Sequence, residues 1–177
     1  MIDSVDGTLT RAVRVTEHVA EIDGRRLDDI VDYLTYVIVP VFFLWAGGFW
    51  LHPGWLVAPV LASAIGFARV DAKTEDNFFL GFPSYWNILA IYLFLFDAGP
   101  VLSTLWIAGL SIAVFVPLKY LYPSKLEPRC LRRALAAGGV LWCLALAACT
   151  GQHDWTRTVG LREISLAYPA WYVGLSL

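Results

Sequence analysis

Residues Asp28 to Pro40 read Asp-Asp-Ile-Val-Asp-Tyr-Leu-Thr-Tyr-Val-Ile-Val-Pro. This stretch carries three carboxylates directly into an apolar run that continues to Leu51. That run approaches the ~20 residues that a helix needs to cross a bilayer. We therefore expect a membrane helix that begins beside a group of acidic side chains.

The composition extends this expectation to the whole chain. Of the 177 residues, 58% are hydrophobic and 16% are charged, and the mean hydropathy is +0.62. Soluble domains are less apolar and carry more charge. The predicted fold class is all-α, a polytopic transmembrane helical bundle that forms a single membrane domain over residues 1–177, with no nucleic-acid partner. About six spans are expected, at roughly 33–51, 55–70, 84–99, 101–122, 131–151 and 164–177.

Lysine and arginine are distributed unevenly between the loops. Eleven of the 13 precede the first span or lie in the loops 69–83 and 119–133, whereas Arg157 and Arg162 lie on the opposite side. Cytoplasmic loops carry the excess of basic residues, so the N-terminal motif and both basic loops are predicted to face the cytoplasm. The tryptophans expected at the outer interface are Trp50, Trp55 and Trp155.

Four aspartates before the first span form two pairs. Asp3 and Asp6 are three residues apart, and Asp28 and Asp32 are four apart, so on helices each pair would project from one face. Such oxygen ligands suit Mg²⁺ or Mn²⁺. The alternative is that Asp28 and Asp32 only cap the first span, where the helix dipole favours carboxylates. Capping does not explain Asp3 and Asp6, and a divalent-metal site is predicted.

The same aspartates resemble the signature of the CDP-alcohol phosphotransferase family, D-x2-D-G-x2-A-R-x8-G-x3-D-x3-D. The residues that match it are Asp3, Asp6, Gly7, Arg11, Gly24, Asp28 and Asp32. Two features depart from the pattern. Thr10 stands where the family has alanine, and twelve residues instead of eight separate Arg11 from Gly24.

Two loop sequences narrow the resemblance. The runs 73–87 and 116–123 are similar to the bacterial phosphatidylcholine synthase branch of the family. The resemblance implies an enzyme that transfers a phosphatidyl group from CDP-diacylglycerol to choline and releases CMP. It implies a bacterial inner (plasma) membrane location with the active site facing the cytoplasm, and a homodimer, since dimers are common among similar proteins.

The resemblance also implies residue roles. Asp3, Asp6, Asp28 and Asp32 would bind Mn²⁺ or Mg²⁺, with Asp32 either at the second metal or acting as the base toward the choline hydroxyl. Gly7 and Gly24 would let the backbone approach the nucleotide, and Arg11 would contact phosphate or pair with a carboxylate. Choline carries a quaternary ammonium group, which aromatic faces attract. The candidates for its site are Tyr33, Tyr36, Phe82, Tyr85 and Trp86, for each of which packing is the alternative role.

Other functions remain compatible with the sequence. The acceptor could be serine, inositol or glycerol phosphate instead of choline, or the chain could be a truncated, non-catalytic membrane protein or a small cation transporter. Family members carry helices before the aspartate motif, which here begins at Asp3. The resemblance therefore predicts that this chain is N-terminally truncated.

Overall fold

The computed structural model describes residues 23–69, 78–121, 128–151 and 159–176, and they are predominantly helical. A π-helical segment covers Leu34–Ile38, and a 3₁₀ turn covers Pro53–Leu56. The helices are α1 (Gly24–Tyr33), α2 (Val39–Ala46), α3 (Val57–Ala68), α4 (Trp86–Leu95), α5 (Pro100–Ala113), α6 (Arg129–Thr150), α7 (Leu161–Ser165) and α8 (Ala167–Ser176). The strands are β1 (Phe78–Leu80) and β2 (Lys119–Leu121).

Helices occupy part of every predicted window, as the helical fold class predicts, and two short strands depart from the all-α pattern. β1 and β2 form an antiparallel sheet in which Phe79 faces Tyr120. The fourth window was placed at 101–122, whereas α5 ends at Ala113 and the chain then enters β2. Pro117 lies between them, and a proline has no N–H to continue a helical hydrogen-bond ladder.

Helix length separates the windows into two classes. By length and composition, two helices suffice to cross a membrane, Arg26–Ala46 with 21 residues and Arg129–Thr150 with 22. Three apolar helices are shorter, at Pro53–Ala68, Trp86–Leu95 and Pro100–Ala113. In the described ranges, therefore, only two of the expected spans reach the ~20 residues of a full crossing.

The π-helical segment has a cause in the sequence. Pro40 falls inside the continuous helical stretch 24–46, where its ring would crowd the carbonyl of Tyr36 and its missing N–H leaves that carbonyl without its helical donor. The helix widens just before this point, and the Val39 N–H donates to the carbonyl of Leu34, five residues back. The widened turn accommodates the proline without ending the helix.

Contacts between helices define one end of the molecule. The ring of Phe43 in α2 lies 5.8 Å from that of Phe94 in α4, and the Leu51 N–H donates to Thr104 Oγ1 of α5 over 3.2 Å. We call this the tryptophan end, because Trp50 and Trp55 lie here. Trp155, the third tryptophan of that prediction, lies outside the described residues.

The opposite end is called the acidic end and comprises Asp28, Asp32, β1, β2 and the last turn of α8. The Tyr33 ring of α1 lies 5.8 Å from Phe67 near the end of α3, and α3 packs along α5, which leads into β2. Tyr172 of α8 donates its hydroxyl to the Leu121 carbonyl over 2.7 Å. The described strands of the two predicted basic loops, β1 and β2, therefore meet at the end that carries the aspartates.

The core lies between α2, the π-helical segment, α4 and α5. Its buried members are Val37, Leu44, Trp86, Ala90, Leu93, Ala98 and Ile107. Apolar side chains also cover the outside of the bundle, where Leu141 is 68% and Ile112 66% exposed. Helices that are hydrophobic around most of their circumference suit a lipid environment and not a water-facing surface.

Candidate active site

Two of the four predicted metal ligands lie within the described residues. Asp28 and Asp32 are on α1, one turn apart, so both project from one face. Asp28 is exposed and Asp32 is half-buried. Asp3 and Asp6 lie outside the described residues, as do Gly7 and Arg11. Within the described ranges no group of three acidic, histidine or cysteine side chains is gathered at one point. The metal-site prediction therefore stays a prediction.

Gly24 begins α1 in an open setting. No described atom lies within 4 Å of the position that a Cβ would occupy, and the residue is exposed. Packing by the described residues therefore does not require glycine here. An open backbone at the start of a helix, where N–H groups lack intrahelical partners, is suited to close approach by a phosphate group.

The π-helical segment follows Asp32 directly and contains Tyr36, which is half-buried. Thr35 Oγ1 donates to the Val31 carbonyl over 2.8 Å, one turn back toward the aspartates. Single π-helical turns within α-helices are frequent at functional sites. Pro40 was the sequence signal that could have located this segment.

The candidate choline-binding aromatics separate into two groups. The first contains Tyr33, Phe82 and Trp86, all of which pack on the core. The Phe82 and Trp86 rings meet edge to face at 5.3 Å, and Tyr33 donates its hydroxyl to the Val60 carbonyl over 3.0 Å. Phe67 contacts Tyr33 and completes this group, although sequence reasoning did not select it.

The second group contains Tyr85, which faces α8. Its ring centroid lies 6.4 Å from that of Tyr172, with 62° between the ring planes. Sequence reasoning also missed Tyr172, because nothing local to residues 167–176 links them to residue 85. Tyr85 therefore contacts α8, whereas Phe82 and Trp86 contact each other.

Trp86 has the clearest packing role among the candidates. It has no exposed surface, and its indole Nε1 donates to Ser63 Oγ over 2.7 Å. Phe82 is half-buried and keeps some accessible surface. In this arrangement Trp86 can contribute to a choline site only by holding Phe82 in place.

The small sheet fixes the backbone that leads to these aromatics. Gly81 follows β1 with a φ of +83°, and a Cβ there would collide with the Val114 carbonyl oxygen, so only glycine fits. Its N–H donates to the Leu118 carbonyl over 2.9 Å, and the Phe82 N–H donates to the Ala113 carbonyl over 3.0 Å. The segment carrying Phe82 is thereby held against the end of α5.

The sheet also brings a positive charge to the acidic end. The Lys119 ammonium lies 5.4 Å from the centroid of the Phe78 ring, within the range of a cation–π contact. Burial raises the pKa of the neighbouring Tyr120 above its ordinary value.

Comparison with known proteins identifies the family. The phosphatidylcholine synthase of Legionella bozemanae is 40% identical to this chain over an alignment 184 residues long. The alignment covers 99% of this chain and 84% of that protein. That of Legionella pneumophila is 38% identical over 99% of this chain and 71% of the relative. The chain belongs to the phosphatidylcholine synthase family. The family member of Borreliella burgdorferi is 38% identical over 81% of this chain. No family model and no solved structure matches the chain.

Membership of the phosphatidylcholine synthase family confirms the resemblance based on the aspartate pattern. The protein is an enzyme of phospholipid biosynthesis, a phosphatidyltransferase. The two Legionella alignments span 99% of the chain, so the likeness extends well beyond the aspartate motif to the sheet and the aromatic groups. For an enzyme of this family, the acidic end offers carboxylates, an exposed helix start and aromatic rings.

Proposed function

We propose that this protein transfers the phosphatidyl group of CDP-diacylglycerol to choline and releases CMP. The observation that carries the proposal is the 40% identity to a phosphatidylcholine synthase over 99% of the chain. In the reaction the choline oxygen attacks the phosphorus that bears diacylglycerol, and the bond from that phosphorus to the CMP oxygen breaks. The hydroxyl proton passes to a base.

The proposed ligands for Mn²⁺ or Mg²⁺ are Asp3, Asp6, Asp28 and Asp32. The donor set fits, because Asp28 and Asp32 present carboxylate oxygens from one face of α1. When bound, a divalent cation supplies neutralisation of the negative charge on the diphosphate. Asp32, which is half-buried, is the proposed base toward the choline hydroxyl.

Nucleotide and phosphate contacts are assigned to Gly7, Arg11 and Gly24. The open setting of Gly24 at the start of α1 supports its part in this assignment. Arg11 would pair with phosphate oxygens through its planar guanidinium group.

The quaternary ammonium of choline is assigned to aromatic faces at the acidic end. Tyr33, Tyr36, Phe82 and Tyr85 are half-buried, so each keeps surface that a ligand could contact. Trp86 supports the site through Phe82. Attraction between a cation and an aromatic face accounts for recognition of a group that has no N–H to donate.

The proposal places the enzyme in the bacterial inner membrane as a homodimer, with about six crossings and the acidic end facing the cytoplasm. The basic loops beside β1 and β2 and the tryptophans at the other end support this orientation. Helix α4 has 10 residues and spans about 15 Å. To cross the bilayer, this segment therefore also needs the non-helical residues that flank α4 on both sides.

The proposal is tested by acceptor specificity. The full chain is produced in a host whose membranes lack phosphatidylcholine, and its membranes are supplied with CDP-diacylglycerol, Mn²⁺ and one alcohol at a time. Choline should give phosphatidylcholine and CMP in equal amounts. Turnover with serine, inositol or glycerol phosphate in place of choline would assign another acceptor, and CMP release that needs no alcohol would contradict the transfer reaction.

A further inference from the structure

The segment 81–86 has an unusual backbone for residues buried in a bundle. It carries Phe82, Tyr85 and Trp86, three of the five candidate choline aromatics. Ser84 has a φ of +56° and is only 3% exposed. Residues other than glycine rarely adopt this left-handed conformation, and it persists where surrounding contacts over-determine it. The contacts around Ser84 therefore decide the path of the segment.

Those contacts converge on Ser63 of α3. Ser63 has no exposed surface, and its Oγ accepts hydrogen bonds from Ser84 Oγ over 2.9 Å and from Trp86 Nε1 over 2.7 Å. The Trp86 N–H also donates to the Ser84 carbonyl over 2.8 Å. A hydroxyl oxygen has two acceptor sites, so the two donors use the full accepting capacity of Ser63. Both donors would be left without this partner if the hydroxyl were removed.

The same helix also holds Tyr33 of the preceding helical stretch. The Tyr33 hydroxyl donates to the Val60 carbonyl over 3.0 Å, and Val60 lies three residues before Ser63 on α3. One turn of α3 thus fixes a candidate aromatic from α1 and the segment that carries Phe82 and Tyr85. The distance between these aromatics depends on both anchors.

We propose that Ser63 is a positioning residue for choline binding, which sets the placement of Phe82 and Tyr85 relative to Tyr33. The inference rests on the proposed function. Ser63 is enclosed and does not touch substrate. It acts through Ser84 and Trp86, and its removal should weaken recognition of the quaternary ammonium without affecting the groups that act on CDP-diacylglycerol.

The test is steady-state kinetics of the full chain in membranes, with both substrates varied. Ser63→Ala should raise the choline KM by roughly 2- to 30-fold, the range of one cation–π contact. The CDP-diacylglycerol KM and the kcat at saturating choline should stay within about twofold, since no group that acts on the phosphates moves. A purely structural role would lower the amount of active enzyme and leave the choline KM unchanged.

A matched control is available in α5. Ser111 is also a buried helix serine, but its Oγ donates only to the Ile107 carbonyl of its own helix, over 2.7 Å. Ser111→Ala should leave the choline KM unchanged. Ser84→Ala and Trp86→Phe, which each remove one donor to Ser63, should raise the choline KM by less than Ser63→Ala. These two variants carry the test if Ser63→Ala does not fold.

The possible outcomes distinguish a failure of this inference from a failure of the proposed function. A wild-type enzyme without choline dependence would overturn the proposed function and the inference with it. Normal choline dependence in the wild type, together with an unchanged choline KM in Ser63→Ala, would overturn the inference alone. If Ser63→Ala does not fold, unchanged choline KM values in both single-donor variants would do the same.

Discussion

The two ends of the molecule carry different arrangements of charged side chains. At the acidic end, Asp28 and Asp32 place like charges one turn apart on α1, an arrangement that destabilises an isolated helix. At the tryptophan end, Arg162 forms an ion pair with Glu163, with 2.6 Å between nitrogen and oxygen. The paired charges at the tryptophan end indicate a structural role. The acidic end presents carboxylate oxygens, the ligand type that suits a divalent cation.

Further contacts at the tryptophan end also serve the fold. Arg162 Nη1 donates to the Leu95 carbonyl at the end of α4 over 3.0 Å, where a positive charge complements the helix dipole. Trp142 Nε1 donates to the Tyr92 hydroxyl over 2.9 Å, and that hydroxyl lies 3.1 Å from Ser165 Oγ. These bonds connect α4, α6 and α7. Breaking them should cost stability, whereas changes at the acidic end should cost activity.

The largest expected difference is between two aspartates, one at each end. Asp32→Asn should lower the rate of choline-dependent CMP release at least ~100-fold, because it removes a charge and a base beside the diphosphate. Asp97→Asn changes an exposed aspartate that follows α4 and has a φ of +49°, a conformation asparagine also tolerates. It should keep the wild-type rate within about twofold. Equal losses of rate in Asp32→Asn and Asp97→Asn would show that the two ends do not differ in their contribution to catalysis.

Aromatic substitutions should produce the next largest effect. Tyr33→Leu and Tyr85→Leu should each raise the choline KM by roughly 2- to 30-fold and leave the CDP-diacylglycerol KM largely unchanged, since a cation–π contact contributes about 0.5–2 kcal/mol. Phe43→Leu, at the tryptophan end, alters an aromatic pair with Phe94 and should leave both values unchanged. If the control shifted the choline KM as much as the two tyrosine variants, the ammonium group would have to be held elsewhere.

Tyr92→Phe should affect stability and not catalysis. It removes the acceptor for Trp142 Nε1 and the partner of Ser165, and the loss should be about 1 kcal/mol. The midpoint of thermal inactivation in detergent should fall, with kcat within about twofold. Thr150→Val is the control, because among the described residues Thr150 Oγ1 bonds only within α6, to the Ala147 carbonyl, and it should shift the midpoint less. A large loss of kcat in Tyr92→Phe would assign this network a role in turnover.

The smallest effect is expected from the exposed ion pair at the tryptophan end. Hydrogen bonding from Arg162 lowers the pKa of the Glu163 carboxyl, so its contribution to stability is present above the ordinary value of about 4.3 and fades as the pH falls through the folded-state value. Solvent screening keeps that contribution small. Glu163→Gln should therefore leave the inactivation midpoint and the rate at pH 7 essentially unchanged. A marked loss in either quantity would show that the pair does more than the exposed geometry allows.

Apolar windows predicted where the helices lie, because crossing helices need long apolar runs whatever their partners. They did not predict β1 and β2, each only three residues long. Their pairing joins residues about forty positions apart, and a local sequence pattern cannot predict such a distant partner. The fourth window ran through Pro117 because Val116, Leu118 and the residues around them are apolar, and hydropathy alone does not detect the end of a helix.

For the site, spacing was enough to select Asp28 and Asp32, since four residues make one helical turn wherever the helix lies. Aromatic composition could not separate packing from binding. Tyr85 and Trp86 are adjacent in sequence, yet one faces Tyr172 of α8 and the other is enclosed beside Ser63 of α3. The different surroundings of Tyr85 and Trp86 arise from tertiary packing, and so does the positioning role proposed for Ser63.

Two neighbouring aspartates of α1 provide the sharpest test of the proposed metal site. Asp28 and Asp29 are both exposed, but Asp29 is rotated by about 100° from Asp28. Choline-dependent CMP release by the full chain in membranes would be measured for Asp28→Asn and Asp29→Asn, with Mn²⁺ and after its chelation. We predict that the rate falls at least ~100-fold in Asp28→Asn and stays within about twofold of wild type in Asp29→Asn. Chelation of the metal should abolish the activity. Near-normal turnover by Asp28→Asn, or wild-type activity that persists without metal, would contradict the proposed metal site.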